Sequence, residues 1–315
     1  MAELWRAPLT EEGMQEVLRR LEECRREGDD LETGYGLLEL SHMVKWVRSD
    51  TDAEPFVRSS ELAREAEAVF RRIGHKPGLV RALIAALPFA PSYKKSPMLR
   101  EAEAIAEECG SEELRAKVLE AKGRTIALAD RDSATDCYKQ AKAIYSTLGD
   151  KMGVASCLFG LAIADATPEA KRDWALDGAE VYAELGDDRH VSMCFTIALM
   201  HAEECQPLEE LEPLALRALE ADQRFGDPER VAAQYRKLAQ VATARGETEK
   251  AKEYERLAAI LDDVTPHEAW QRQVEALGGV AMIATMTGNQ EFAAEFAAAM
   301  TELLEQEPEN PSPEV

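Results

Sequence analysis

Apolar residues recur along this chain three and four positions apart, the spacing that lines one face of a helix. The stretch Ala141 to Ala162, AKAIYSTLGDKMGVASCLFGLA, shows the unit most plainly: an apolar-faced helix, Gly149, Asp150 and a second helix. Glycine lacks a Cβ and takes the left-handed conformation that closes a helix C-terminus, and the aspartate after it can cap the next helix. The same grammar returns at Gly74, Gly110, Gly186 and Gly226; with Gly149 included, the turns stand 36, 39, 37 and 40 residues apart. Eight residues before each glycine are Ala66, Ala102, Ala141, Gly178 and Ala218, small enough for neighbouring helices to approach closely. Directly before it are Ile73, Cys109, Leu148, Leu185 and Phe225, expected as an apolar plug at the helix end. Five positions after it come Leu79, Arg115, Val154, Val191 and Val231, then six after Val80, Ala116, Ala155, Ser192 and Ala232, and nine after Leu83, Leu119, Leu158, Phe195 and Tyr235. Agreement at so many offsets is the packing code of stacked helix pairs, each burying its apolar face on the next.

Outside these turns the pattern predicts a first helix from the cap Thr10 to about Glu27, with Met14, Val17, Leu18 and Leu21 on one face. Gly28-Asp29 ends it, a second helix is expected around Leu37 to Val47, and a turn-rich spacer follows near Asp50. The next helix carries Leu62, Ala66, Val69, Phe70 and Ile73 to Gly74. The proline-bounded run Pro88 to Pro97, PFAPSYKKSP, brings in Tyr93, Lys94 and Lys95 and reads as an elongated turn with solvated lysines, the alternative being a lip over the binding face. Thr265-Pro266-His267-Glu268 is a good helix start and opens a terminal pair, where Gly278-Gly279 are expected to kink the first helix. The final EQEPENPSPEV has three prolines and no apolar run, the composition of a disordered tail.

The segment from Leu238, LAQVATARGETEKAKEYERLA, resembles a tetratricopeptide repeat, with Leu238 and Ala239 in a first helix, Gly246 at the turn, and Ala251, Tyr254 and Ala258 in a second. TGNQEFAAEFAAAM repeats the second half with Gly288, Ala293, Phe296 and Met300. The resemblance covers roughly residues 30 to 305, and upstream its intervals exceed the family's usual spacing. It implies an all-α, right-handed superhelical solenoid of about seven antiparallel helix pairs. The expected organisation is an N-terminal pair and spacer over 1–53, a repeat array over 54–264, capping helices over 265–305 and an acidic, proline-rich tail over 306–315. In the resembling repeats the first helix of each pair lines a concave groove. Carried onto this alignment, the groove positions give Arg81, Lys117, Glu120, Arg124, Phe159, Ile163, Met193, Thr196, Met200, Arg236 and Gln240. The groove so drawn has a basic end at Arg81, Lys117 and Arg124 and an apolar centre at Phe159, Ile163, Met193 and Met200.

That basic end stands out because Asp and Glu total 60 against 37 Lys and Arg, a formal charge of −23. Such an excess repels phosphate backbones and anionic membranes, so neither nucleic acid nor a membrane is an expected partner. The start MAELWRAPLTEE has acids and a proline where a secretory signal needs an apolar core, and the expectation is a soluble cytoplasmic protein. The cysteines Cys24, Cys109, Cys137, Cys157, Cys194 and Cys205 form no CxxC pair and sit in helical patterns, as buried reduced thiols do. Cys194, His201 and Cys205 share one helix face, yet seven residues of helix rise separate the first two by about 10 Å, too far for one ion. His42, His75, His190 and His267 lie in no pattern with a nucleophile, and GxSxG, HExxH, GxGxxG and phosphate-loop motifs are absent. The expected function is therefore a non-catalytic scaffold, without cofactor or metal, holding a peptide or helix that carries a carboxylate or acidic end and an apolar anchor. A ligand- or peptide-responsive regulator of bacterial type is the alternative within the same fold, and an all-helical enzyme is the distant one.

Overall fold

The computed structural model describes residues 10–44 and 55–261; the spacer, the helix start at Thr265, the capping helices over 265–305 and the tail lie outside them. Among the described residues the fold is an all-α solenoid of successive helix pairs, divided into two compact units, Met1–Asp165 and Ala166–Val315. That division falls within the segment 54–264 that the repeat pattern reads as one array. No helix among the described residues is long and apolar enough to cross a membrane.

The first unit contains α1 (Glu11–Glu27), α2 (Asp30–Met43), α3 (Pro55–Ile73), α4 (Lys76–Ala86), α5 (Ser92–Cys109), α6 (Glu112–Ile126), α7 (Arg131–Leu148) and α8 (Lys151–Ala164). Each helix contacts the next, and α2, α4, α6 and α8 also touch one another in turn, whereas no comparable contact joins α3 to α5 or α5 to α7. Crowding on one side only draws that side shut, so the even-numbered helices form the inner layer of this unit. The second unit runs through α9 (Pro168–Glu184), α10 (Asp188–Cys205), α11 (Glu212–Phe225), α12 (Pro228–Ala244) and α13 (Thr248–Leu261), each against its neighbour.

The expected turns are present. Gly149 has φ 70°, its N–H and that of Asp150 donate to the carbonyls of Ser146 and Tyr145, and the Asp150 carboxylate accepts from Gly153 N at 3.0 Å. Gly28, Gly74, Gly110, Gly186, Gly226 and Gly246 share the left-handed conformation. The small residues eight before the turn, Ala66, Ala102, Ala141, Gly178 and Ala218, are all buried. Leu238, Ala239, Ala251, Tyr254 and Ala258 are buried as the repeat resemblance requires.

The apolar plug is a correction. Ile73, Cys109, Leu148 and Leu185 are exposed, and Phe225 only partly buried. The residue directly before the glycine faces away from the partner helix; four before it, the side chain points back across the turn. That position holds Phe70, Ala106, Tyr145, Tyr182 and Asp222, and four after the glycine stand Gly78, Leu114, Gly153, His190 and Arg230. The two share one space. A Cβ on Gly78 would lie 2.3 Å from the Phe70 ring and one on Gly153 2.4 Å from the Tyr145 ring, so large faces small. Ala106 and Leu114 reverse the order, Tyr182 stacks on His190 with ring centroids 4.6 Å apart, and Asp222 pairs with Arg230.

The second helix also begins earlier than expected, at Asp30, because Asp29 caps it through Glu32 N at 3.0 Å. Its Gly34 is not a breaker but a gap for the Phe70 ring, which a Cβ there would approach to 2.6 Å.

Two measurements check this packing. Tyr145→Ala should cost about 3–5 kcal/mol in denaturant unfolding, and adding Gly153→Leu should return about 1 kcal/mol or more, a coupling two independent sites would lack. His75 caps α4 by accepting Gly78 N–H on Nδ1 at 3.1 Å, which only a neutral ring can do, and burial, then the charge of Arg81, lowers its pKa. Its contribution is therefore complete above the ordinary imidazole value and is lost as pH falls through the lowered one. Between about pH 8 and pH 5 the wild type should lose more melting temperature than His75→Asn, which caps without titrating in that range.

Candidate functional site

The inner layer of the first unit carries the basic end of the expected groove. On α4, Arg81, Ile84 and Ala85 fall three and four apart on one face; Lys117, Glu120 and Arg124 do the same on α6 at three and seven apart; Leu38 and His42 repeat it on α2. With Ser41 and with Pro88, in a 3-10 turn after α4, most of these residues bound a hollow of about 360 Å³. Its lining is apolar at Leu38, Ile84, Ala85 and Pro88 and cationic at Arg81, Lys117 and Arg124.

The counter-charges come from α6 itself. Arg81 Nη2 donates to Glu113 at 2.7 Å, and its guanidinium lies 5.9 Å over the Tyr35 ring. Lys117 reaches Glu113 only at 3.9 Å, and Arg124 reaches Glu120 only at 3.9 Å. Glu120 is committed elsewhere: it accepts from Ser156 of α8 at 2.7 Å and from the Tyr145 hydroxyl of α7 at 3.0 Å. Burial first, and then that carboxylate, pushes the Tyr145 hydroxyl far above its usual pKa. Glu120 thus ties three helices together. Arg81 Nε is buried without a hydrogen-bond partner.

The remaining groove residues lie at the surface rather than in the core. Phe159 and Met193 are half-buried, Ile163 and Met200 are 46% and 53% exposed, and Thr196, Arg236 and Gln240 are exposed. Phe159 and Ile163 belong to the first unit, and Met193, Thr196, Met200, Arg236 and Gln240 to the second. There Arg236 and Gln240 line a hollow of about 670 Å³ with Ala239, Thr243, Glu255 and Ala258. The lysine loop is corrected. Tyr93, Lys94 and Lys95 stand in the first turn of α5, which starts directly after Pro91 and carries Pro97 inside it. Tyr93 is 75% exposed.

The periodic reading missed a charged centre in the second unit. Asp222 is fully buried and accepts from Ser192 Oγ, from Arg230 Nε at 3.1 Å and from Gln234 Nε2 at 2.9 Å. Arg230 Nη2 then donates to Thr196 Oγ1 at 2.9 Å, so a groove residue is held from the core. The signal was available, since an acid stands at the position of Phe70, Tyr145 and Tyr182, with an arginine eight residues on.

Of the thiols, Cys137, Cys157 and Cys194 are buried, whereas Cys109 is exposed and Cys24 and Cys205 are intermediate, which corrects the uniform burial expected. Burial pushes the Cys194 thiol up to about 12. Cys205 Sγ donates to His201 O at 3.3 Å and accepts from Arg172, while His201 Nδ1 meets Glu204 at 2.7 Å. Among the described residues no three histidine, cysteine or acidic side chains gather around a point where a metal would sit.

No family model and no curated protein matches the chain. Among solved structures it aligns with a "Circular tandem repeat protein with novel repeat topology and enhanced subunit contact surfaces", at 14% identity and a TM-score of 0.31, over 94% of this chain and 89% of that one.

The Asp222 centre makes its own prediction. Asp222→Ala leaves Ser192, Gln234 and Arg230 without their shared acceptor and should cost about 2 kcal/mol or more by urea unfolding. The loss should fall short of a wholly buried pair because the Arg230 side chain is 28% exposed.

Proposed function

We propose that the chain is a non-catalytic interaction scaffold of the tetratricopeptide type, which holds a segment of another protein against its even-numbered helices. One observation carries the reading. In a chain of net charge −23, Arg81, Lys117 and Arg124 bound one hollow, and on α8, the next even-numbered helix of the same unit, Phe159 is half-buried and Ile163 exposed. Cations beside incompletely buried apolar side chains suit a partner with a carboxylate or acidic end and a bulky apolar anchor. Met193, Met200, Thr196, Arg236 and Gln240 offer a comparable mixed surface on the second unit. The recurrent left-handed glycines and the buried small residues support the repeat type, and the lack of a linear catalytic motif supports binding over turnover. The alternative, a ligand-responsive regulator, draws support from the hollow beside the three cations.

The test begins with affinity capture from native lysate, which identifies the partner by mass spectrometry. Lys117→Glu with Arg124→Glu should then weaken binding by ~1 kcal/mol or more and flatten its salt dependence. Phe159→Ala should cost ~2 kcal/mol if the anchor seats there. Variants that keep their circular dichroism and capture the same partner undiminished would place the docking face on the outer helices instead.

A further inference from the structure

We propose that the hollow bounded by α2, α4 and α6 is a receptor site for a free amphiphilic monocarboxylate, a medium-chain aliphatic acid. Three features of the hollow lead there.

The first is unspent positive charge. Lys117 stands 3.9 Å from Glu113 and Arg124 3.9 Å from Glu120, ion pairs too long to be hydrogen bonds, and the Lys117 ammonium lies 5.9 Å over the Tyr145 ring. Arg81 donates through Nη2 to Glu113 and keeps a buried Nε with no acceptor at all. A buried donor is ordinarily satisfied, and an anion seated among these cations would offer the acceptor that Arg81 Nε lacks.

The second is the balance of charge. Arg81, Lys117 and Arg124 stand against Glu113 and Glu120, which leaves a single unmatched positive charge. Glu120 cannot swing to change this, because Ser156 and Tyr145 both hold it. One negative charge completes the site, whereas a dianion such as inorganic phosphate would overshoot it.

The third is the apolar part of the lining. Leu38, Ile84, Ala85 and Pro88 present carbon to the interior, and the hydroxyl of Ser41 is turned into its pair with Ser59. An ion without an apolar body would leave that part in contact with water, while an aliphatic chain would cover it. A volume of about 360 Å³ is on the scale of small-molecule pockets. The site stands independently of the scaffold reading. Its regulatory consequence rests on that reading, since an acid bound here would take the cations that the partner's acidic end needs.

Titration calorimetry of the full chain in low salt, with octanoate as the probe, tests the site. Saturable one-to-one binding is expected, at least about tenfold tighter than for octanamide, which keeps the chain without the charge, or for acetate and inorganic phosphate, which lack the chain. Lys117→Gln with Arg124→Gln, both outside the core, should weaken octanoate at least about tenfold with the melting temperature unchanged, and Ile84→Ser should weaken it with the charge intact. Absence of saturable octanoate binding, equal binding of any control compound, or full affinity in the folded double variant would overturn the site. Octanoate that binds but leaves a captured partner in place overturns the competition and not the site, whereas a failed capture with intact octanoate binding bears on the scaffold reading alone.

Discussion

Phe70 of α3 fills the space between Gly34 of α2 and Gly78 of α4, and Tyr138 of α7 does the same between Gly123 of α6 and Gly160 of α8. Tyr145 lies on Gly153 of α8 and reaches back to Glu120 of α6, while Asp222 of α11 bonds Ser192 of α10 and Arg230 of α12. In each case an odd-numbered helix sends one large or charged group between the two even-numbered helices that flank it. Volume and charge must be matched on both sides at once, because close-packed interiors leave no room for a second large group and no water for an unpaired ion. The spacing of the even helices follows from those inserted groups, and with it the width of the inner face.

That inner face gains its character from what lies beneath it. Glu120 would be a solvated groove acid if α6 stood alone, but the hydroxyls of Ser156 and Tyr145 fix it as a strut between helices. It stays 3.9 Å from Arg124, too far for a hydrogen bond, and three cations against two acids keep this surface cationic in an acidic protein. Thr196 in the second unit is positioned the same way, through Arg230 from a fully buried carboxylate. Surface chemistry here is set one layer down.

Helix spacing and turns were legible in the residues because both depend on local rules: a glycine free to take positive φ, a capping oxygen after it, alanine where helices touch. The buried small residues eight before each turn were legible too, since offsets from the turn convert directly into faces. What the pattern concealed were compensations between distant positions. The second helix reads as starting near Leu37, past the Gly34 that the Phe70 ring lies against, and Pro97 reads as a loop boundary although it stands inside α5. Ile73, Leu148 and Leu185 look like core residues by composition, yet their register points them outward. Asp222 looks like one more solvated acid in a chain rich in them.

The inserted groups also bear on how the protein is made. Similar hairpins emerging one after another from a ribosome are prone to dock on the wrong neighbour or to exchange between chains. Here the junctions are not all alike. A ring shaped for two glycines cannot enter a slot already holding Leu114 or His190, and a carboxylate that needs Arg230, Gln234 and Ser192 finds none of them at another junction. The junctions at Gly110, Gly186 and Gly226 each carry a pairing of their own, so the repeats share an architecture without sharing one junction chemistry.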